Sequence, residues 1–262
     1  MGGADVIDAG AGDDSVAVHG SEASIDGGTG TNTLVLAARG GITRIDLSVA
    51  PGADVTTGDT VSVANVQNVD ATILATGDNL IITGSASANN LTLGGGDDGI
   101  HGGGGADVID AGGGNDSVDY WGSEVSITGG TGTNTLVLKS ASTIDLNQAG
   151  DQTLGDTAIV TGFANVDAST MAAAASITGS TGANVITGGA GDDTIDGNGG
   201  ADTINAGSGD DRVLYHGSEA VLDGGSGLDI LVVGPGSGIT AVNFAAGADQ
   251  TTGDVVNVTR FE

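Results

Sequence analysis

The sequence predicts an all-β fold, a solenoid of short strands stacked in rows of nine residues, on three observations. An aliphatic residue returns every nine positions through long stretches of the chain. Fifty-one of 262 residues are glycine, against roughly 7% in ordinary proteins. Aromatic residues make up only 2% of the chain, so a core built on large rings is excluded, and thin layers of Ile, Val, Leu and Ala take its place.

The rows fit Gly-Gly-x-Gly-x-Asp-x-U-x, with U a large aliphatic residue, as in GGGGADVID at 102–110 and GGAGDDTID at 188–196. They run over 1–35, 84–137 and 179–232. The eighth position is Ile7, Val16, Ile25 and Leu34, then Leu91, Ile100, Ile109, Val118, Ile127 and Leu136, then Ile186, Ile195, Ile204, Val213, Leu222 and Leu231. Positions seven to nine form a strand with one inward side chain. The glycines permit the sharp turn before it. Two rows then make one coil of eighteen residues, and stacked coils pair their strands in parallel. One coil buries little, so its stability comes from its neighbours.

The sixth position carries the chemistry. It is Asp at Asp5, Asp14, Asp98, Asp107, Asp116, Asp193, Asp202, Asp211 and Asp229, and Asn at Asn32, Asn89, Asn134 and Asn184. Turns on one edge belong to alternate rows, so a cation between them takes carbonyl oxygens and carboxylates from both. The predicted partners are Asp98 with Asp116, Asn89 with Asp107, Asp193 with Asp211, and Asn184 with Asp202. An all-oxygen site of six to eight ligands suits Ca²⁺. Mg²⁺ demands a stricter octahedron, and zinc prefers His or Cys. The ceiling is ten ions. Thirty-four acids face five bases, a net charge of −29; without cations the stacked carboxylates repel, so folding is expected to be coupled to calcium.

These rows resemble the RTX (repeats-in-toxin, haemolysin-type) calcium-binding nonapeptide family of bacterial secreted proteins, and the likeness covers more than half of the chain. The resemblance implies a right-handed parallel β-roll, calcium-triggered folding outside the cell and export by type I secretion. Three rows depart from the pattern, with Ala23, Val125 and Ala220 at position six inside HGSE or WGSE sequences. Ions beside them are in question. The C-terminal export signal usual in type I substrates is not recognisable.

A longer period overlies the short one. Residues 103–137 nearly duplicate 2–35 and return, less closely, at 199–232. Three repeats of roughly a hundred residues follow: 1–83 (rows 1–35, spacer 36–83), 84–178 (rows 84–137, spacer 138–178) and 179–262 (rows 179–232, spacer 233–262). The spacers share Ile-Asp-Leu at 45–47 and 144–146 and Asn-Val-Asp-Ala at 68–71 and 165–168. They are expected to be wider, calcium-free coils of the same solenoid, with Leu47, Val63, Val69, Leu146, Phe163, Val166 and Met171 inward. Flexible linkers are the alternative. The third spacer stops at Phe261-Glu262, where Asn-Val-Asp-Ala would follow, and the chain is read as a stretch of a longer array.

The remaining features favour structural roles. His19 and His216 share a row position with Trp121, which suits an exposed structural site and not a catalytic histidine. Glu22, Glu124 and Glu219 are read as solvated, with a carboxylate for a neighbouring calcium as the other reading. Asp13, Asp97, Asp192 and Asp210 at position five are expected to face solvent. Identical Asp turns do not provide the split pKa values of a glycosidase pair, and no Ser-His-Asp set can be assembled. Glycine patterns without a following helix carry no nucleotide-loop meaning. The acidity opposes nucleic acid and anionic membranes, no apolar run reaches a membrane span, and cysteine is absent.

The expectation is a non-enzymatic, calcium-binding repeat region of an extracellular bacterial surface protein, an S-layer protein or adhesin, whose partners are calcium and copies of itself or neighbouring repeats. An export and folding module of a secreted toxin or hydrolase is the alternative. An ice-binding face would need ranked Thr, which is too sparse here.

Overall fold

The computed structural model describes residues 4–140, 142–245, 249–254 and 256–262. Among them every regular element is a strand of two to four residues. The chain divides into two units, 1–134 and 135–262.

In the first unit, Ser15–Val18, Thr33–Leu36, Asn68–Asp70, Asn90–Thr92, Val108–Asp110 and Ser126–Thr128 pair in parallel, in that order. A second face runs Arg44–Asp46, Ile81–Thr83, Gly99–His101, Ser117–Tyr120. A third joins Val6–Asp8, Ser24–Asp26 and Ser62–Ala64. In the second unit, one face runs Thr135–Leu138, Asn165–Asp167, Val185–Thr187, Thr203–Asn205, Val221–Asp223, Asn257–Thr259. Its other face runs Thr143–Asp145, Ser176–Thr178, Thr194–Asp196, Arg212–Tyr215, Ile230–Val233.

The register follows the eighteen-residue coil. Leu91 faces Ile109, which faces Ile127; Ile186, Ile204 and Leu222 do the same. Each row contributes one aliphatic side chain to a narrow stack, and from Leu91 to Ile127 these are 0–1% exposed. Ile7 and Leu231 are only half-buried. The turns stack as well as the strands, through parallel bridges such as Gly95 to Gly113 and Gly113 to Thr131. Where a glycine turn stacks on the one before it, coil spacing leaves no room for a side chain at position four. A β-carbon on Gly114 (φ +134°) would stand 1.8 Å from the carbonyl oxygen of Gly96.

The spacers belong to the solenoid. Asn68–Asp70 lies between Thr33–Leu36 and Asn90–Thr92, and Asn165–Asp167 lies between Thr135–Leu138 and Val185–Thr187. The seven residues expected inward, Leu47, Val63, Val69, Leu146, Phe163, Val166 and Met171, are all buried, which removes the linker reading. Each spacer also holds a short antiparallel pair that the period did not announce, such as Arg44–Asp46 with Thr56–Thr57. In the first spacer Asp54 fastens it by accepting from the N–H groups of Thr56 and Val63 at 3.0 Å each. Asp151 and Asp249 repeat this.

Because each coil rests on its neighbours, Ile109→Ala is expected to cost about 2–5 kcal/mol. Urea unfolding in saturating calcium measures it; a loss under about 0.5 kcal/mol, the range of ordinary surface substitutions, would contradict the stacked core.

Candidate metal sites

The position-six side chains line up between coils. In most rows Oδ1 accepts a hydrogen bond from the backbone N–H eighteen residues earlier, itself usually at position six. Asp98 N–H donates to Asp116 at 2.9 Å, Asn89 to Asp107 at 2.8 Å, Asp193 to Asp211 at 2.8 Å and Asn184 to Asp202 at 2.8 Å. All four sequence-predicted pairs are thus brought together. Asp14 with Asn32, Asp116 with Asn134 and Asp211 with Asp229 extend the ladders. Asp98 and Asp193 reach back into the spacers, to the N–H of Leu80 and Ala175 at 2.7 Å each. Asp5 stands exposed, and its coil neighbour is the departing row, whose Ala23 N–H donates to the Asp5 carbonyl.

The second oxygen distinguishes the rows. Oδ2 of Asp14, Asp107, Asp116, Asp202, Asp211 and Asp229 is buried with no hydrogen-bond partner. In each of these rows position two has a left-handed backbone: Gly10 (φ +90°), Gly103 (+86°), Gly112 (+87°), Asn198 (+64°), Gly207 (+109°) and Gly225 (+98°). In the rows 84–92, 179–187 and 188–196, which come after a spacer, position two is not left-handed and its N–H caps the side chain. Ser85 donates to Asn89 Oδ1, Ser180 to Asn184 Oδ1 and Gly189 to Asp193 Oδ2, each at 2.7 Å. Turns therefore exist in an open and a capped form, and the open form leaves a bare carboxylate oxygen. That oxygen lies against the position-one glycine. A β-carbon at Gly102 would be 2.9 Å from Asp107 Oδ2, and one at Gly197 2.6 Å from Asp202 Oδ2.

Bare and buried, the carboxyls of Asp107, Asp116, Asp202, Asp211 and Asp229 resist ionisation. Burial, with the carboxylates of Asp116 and Asp97 adding to it, lifts Asp98 to about 6. Burial likewise lifts Asp107, Asp116 and Asp202 to about 6 and Asp211 to about 7. Asp229 is raised for the same reason.

Asparagine meets the same position differently. The side-chain N–H of Asn32 donates to the carbonyl of Asn65 at 3.0 Å, that of Asn89 to Gln67 at 2.6 Å, that of Asn134 to Gly129 at 2.7 Å and that of Asn184 to Ala164 at 2.6 Å. The amide keeps the oxygen of the ladder and puts a donor where Asp leaves a bare charge. Three of these bonds reach spacer carbonyls, so Asn marks the joints between rows and spacers.

The departing rows correct the solvated reading of their glutamates. Glu22, Glu124 and Glu219 are buried because each carboxylate gathers the amides of its own turn. Glu219 accepts from His216, Gly217 and Ser218 at 2.7–2.9 Å. Glu124 accepts from Trp121 and Ser123, and Glu22 from His19 and Ser21. For Glu22, burial raises the carboxyl, but these amides and the His19 ring outweigh it and hold it below the usual value. The sequence signal was the fixed Gly-Ser-Glu spacing, which fits a side chain folding back on its own turn. His19 and Trp121 are exposed, as expected, and His216 reaches Asp196 at 2.8 Å. The position-five acids are exposed but also laddered: Asp97 accepts from Asn115 N–H at 2.7 Å and Asp192 from Asp210 N–H at 2.9 Å.

Among the described residues no three His, Cys, Asp or Glu side chains converge on one point. Any cation held here must draw most of its ligands from turn carbonyls, which is the chemistry of a hard oxygen-seeking ion. Paired turns with bare buried carboxylate oxygens fit such an ion.

Parallel coils whose glycine turns hold such oxygens along their edges define a cation-binding β-roll. The family model for the RTX calcium-binding nonapeptide repeat (4 copies) matches residues 1–21, 76–118 and 178–213. The matched residues are RTX repeats, and RTX nonapeptide repeats bind Ca²⁺. A search of curated proteins finds no match.

Two outcomes follow. Carboxyls at about 6 to 7 in the folded state and 3.8 when exposed take up protons on folding between those values. Stability in EDTA is therefore fully present below about pH 4 and lost as pH rises through 6 to 7; thermal melts across pH 4–8 check this, and melting points that rise with pH would contradict it. Glu124→Gln puts an amide donor among donors and is expected to cost about 1–3 kcal/mol in saturating calcium, read by urea unfolding. A loss under about 0.5 kcal/mol, the range of ordinary surface substitutions, would contradict the turn cap.

Proposed function

We propose that the open turns are the calcium sites and that the chain is a calcium-folded structural stretch of a secreted bacterial surface protein, of the S-layer or adhesin kind. The observation that carries the first part is the set of bare Oδ2 atoms on Asp14, Asp107, Asp116, Asp202, Asp211 and Asp229. A buried unpartnered carboxylate is strongly unfavourable, and a divalent ion between neighbouring turns removes that cost. Asp98 and Asp193 contribute as the coil neighbours of Asp116 and Asp211. Asn32, Asn89, Asn134 and Asn184 act as the ends of the ion columns, since their amides are already satisfied. Asp5 serves the front of the first block.

The repeats themselves are a secreted-type structural region, and among the described residues no helix is long and apolar enough to cross a membrane. The surface reading is supported by three successive repeats, 1–83, 84–178 and 179–262, and by spacers that continue the sheets. Such a chain extends by adding coils, as a stalk or lattice requires. A net charge of −29 suits an acidic coat bathed in calcium.

Far-UV circular dichroism during a calcium titration after EDTA treatment, with magnesium as control, tests the coupling. A cooperative gain of β signal with calcium alone is expected, and Asp116→Asn with Asp211→Asn should shift its midpoint to higher calcium. A spectrum already folded in EDTA and unmoved by calcium would refute it. Protease shaving of intact cells of the parent bacterium tests the location: the repeats should be released, and complete protection would overturn the surface reading.

A further inference from the structure

The three repeats place one strand in three surroundings. Thr33–Leu36 is covered by Asn68–Asp70, with Leu34 facing Val69. Thr135–Leu138 is covered by Asn165–Asp167, with Leu136 facing Val166. Under that cover Leu34, Leu36, Leu136 and Leu138 are 0% exposed. The third counterpart, Ile230–Val233, pairs with Arg212–Tyr215 on one side and ends its sheet. Among the described residues no strand lies on its other side. Ile230 is 55% and Val233 45% exposed, beside Leu228 at 67%.

The approach to this edge is already set. In the first repeat, the N–H groups of Gln67 and Asn68 donate to the Asn32 carbonyl at 2.9 and 3.0 Å, and Gln67 Oε1 accepts from Asn32 N–H at 2.8 Å. In the third, Glu262 N–H donates to the Asp229 carbonyl at 3.1 Å and Glu262 Oε2 accepts from Asp229 N–H at 3.4 Å. Glu262 thus stands where Gln67 stands, one residue before the covering strand.

We infer that Ile230–Val233 is an acceptor edge for a parallel strand of Asn-Val-Asp-Ala chemistry entering beside Glu262, with Ile230 opposite Asn, Leu231 opposite Val and Val232 opposite Asp. The middle Val meets the apolar stack. Asn is selected because it serves the coil beyond: Asn68 Oδ1 accepts from Asn90 N–H and Asn165 Oδ1 from Val185 N–H, both at 2.8 Å. Filling the edge therefore creates the acceptor for the next row, and one docking event prepares the following one. Nothing along Ile230–Val233 blocks pairing, since it holds neither proline nor charge, the usual protections of an open edge.

The test appends Asn-Val-Asp-Ala-Ser-Thr-Met, the sequence of 165–171, after Glu262 and compares it with the same seven residues shuffled and with Asn-Asp-Asp-Ala-Ser-Thr-Met. In saturating calcium, amide exchange over Ile230–Val233 should slow by about tenfold or more with the first extension only, and its melting point should rise. Equal protection by all three extensions, or by none, overturns the inference. So does a dimer of the parent chain that protects Ile230–Val233 and persists when the matching extension is present, because the edge would then belong to a second copy. The readout depends on strand order and not on which residues hold calcium, so a failed calcium titration leaves it interpretable.

Discussion

One interaction governs this fold: a position-six carboxylate held between two coils with one oxygen used and the other bare. Its Oδ1 fixes the stacking by accepting the N–H of the preceding coil, as Asp116 does from Asp98 at 2.9 Å. Its Oδ2 is left without a partner in six rows. The apolar core cannot offset that cost generously, because each nine-residue row buries only one or two large apolar side chains. On the proposed assignment, calcium would resolve the conflict by supplying charge where the carboxylates crowd and by gathering turn carbonyls around itself.

Where the columns stop, the same geometry is satisfied by chemistry that needs no cation. Asparagine keeps the acceptor of the ladder and adds a donor, which Asn32, Asn89 and Asn184 spend on spacer carbonyls. Glutamate, one position earlier and one methylene longer, turns back on the amides of its own turn. Both devices put a donor against the buried oxygen or remove its charge. Asp, Asn and Glu are thus three answers to one steric slot, distinguished by whether a neighbour, the turn itself or a metal completes the hydrogen bonding.

Much of this was legible in the sequence because the constraint is periodic. The aliphatic eighth position announced the core, and the eighteen-residue pairing of Leu91 with Ile109 follows from two turns per coil. The Asp partners were legible for the same reason. What stayed hidden depends on backbone choice at single positions. Gly189 and Gly207 occupy the same row position, yet one caps Asp193 with its N–H and the other, left-handed at φ +109°, leaves Asp211 bare. Glycine permits either state, so composition cannot distinguish them; packing against a spacer decides. The glutamates were misread as solvated because a charged residue in a turn is usually exposed, and three inward amides reverse that preference. The antiparallel pairs of the spacers lack the nine-residue period and left no periodic trace.

The alternation of blocks and spacers has a physical logic. Rows stack one position-eight aliphatic side chain each, with Tyr120 and Tyr215 buried at the start of the row after an open turn, whereas spacers bury Leu47, Phe163, Met171 and Phe261 and tie their hairpins with internal carboxylate bonds such as those of Asp151. In a one-dimensional array, local stability is the sum of a coil's own terms and those of its neighbours. A spacer therefore offers the adjoining row a formed strand edge, Asn68–Asp70 for Asn90–Thr92 and Asn165–Asp167 for Val185–Thr187, with an Asn acceptor already aimed at it. The first row beyond is the capped kind, complete without an ion, and the open turns come after it. On the proposed assignment, order is handed from segments that need no metal to segments that do, and calcium acts on rows whose register has been set for it.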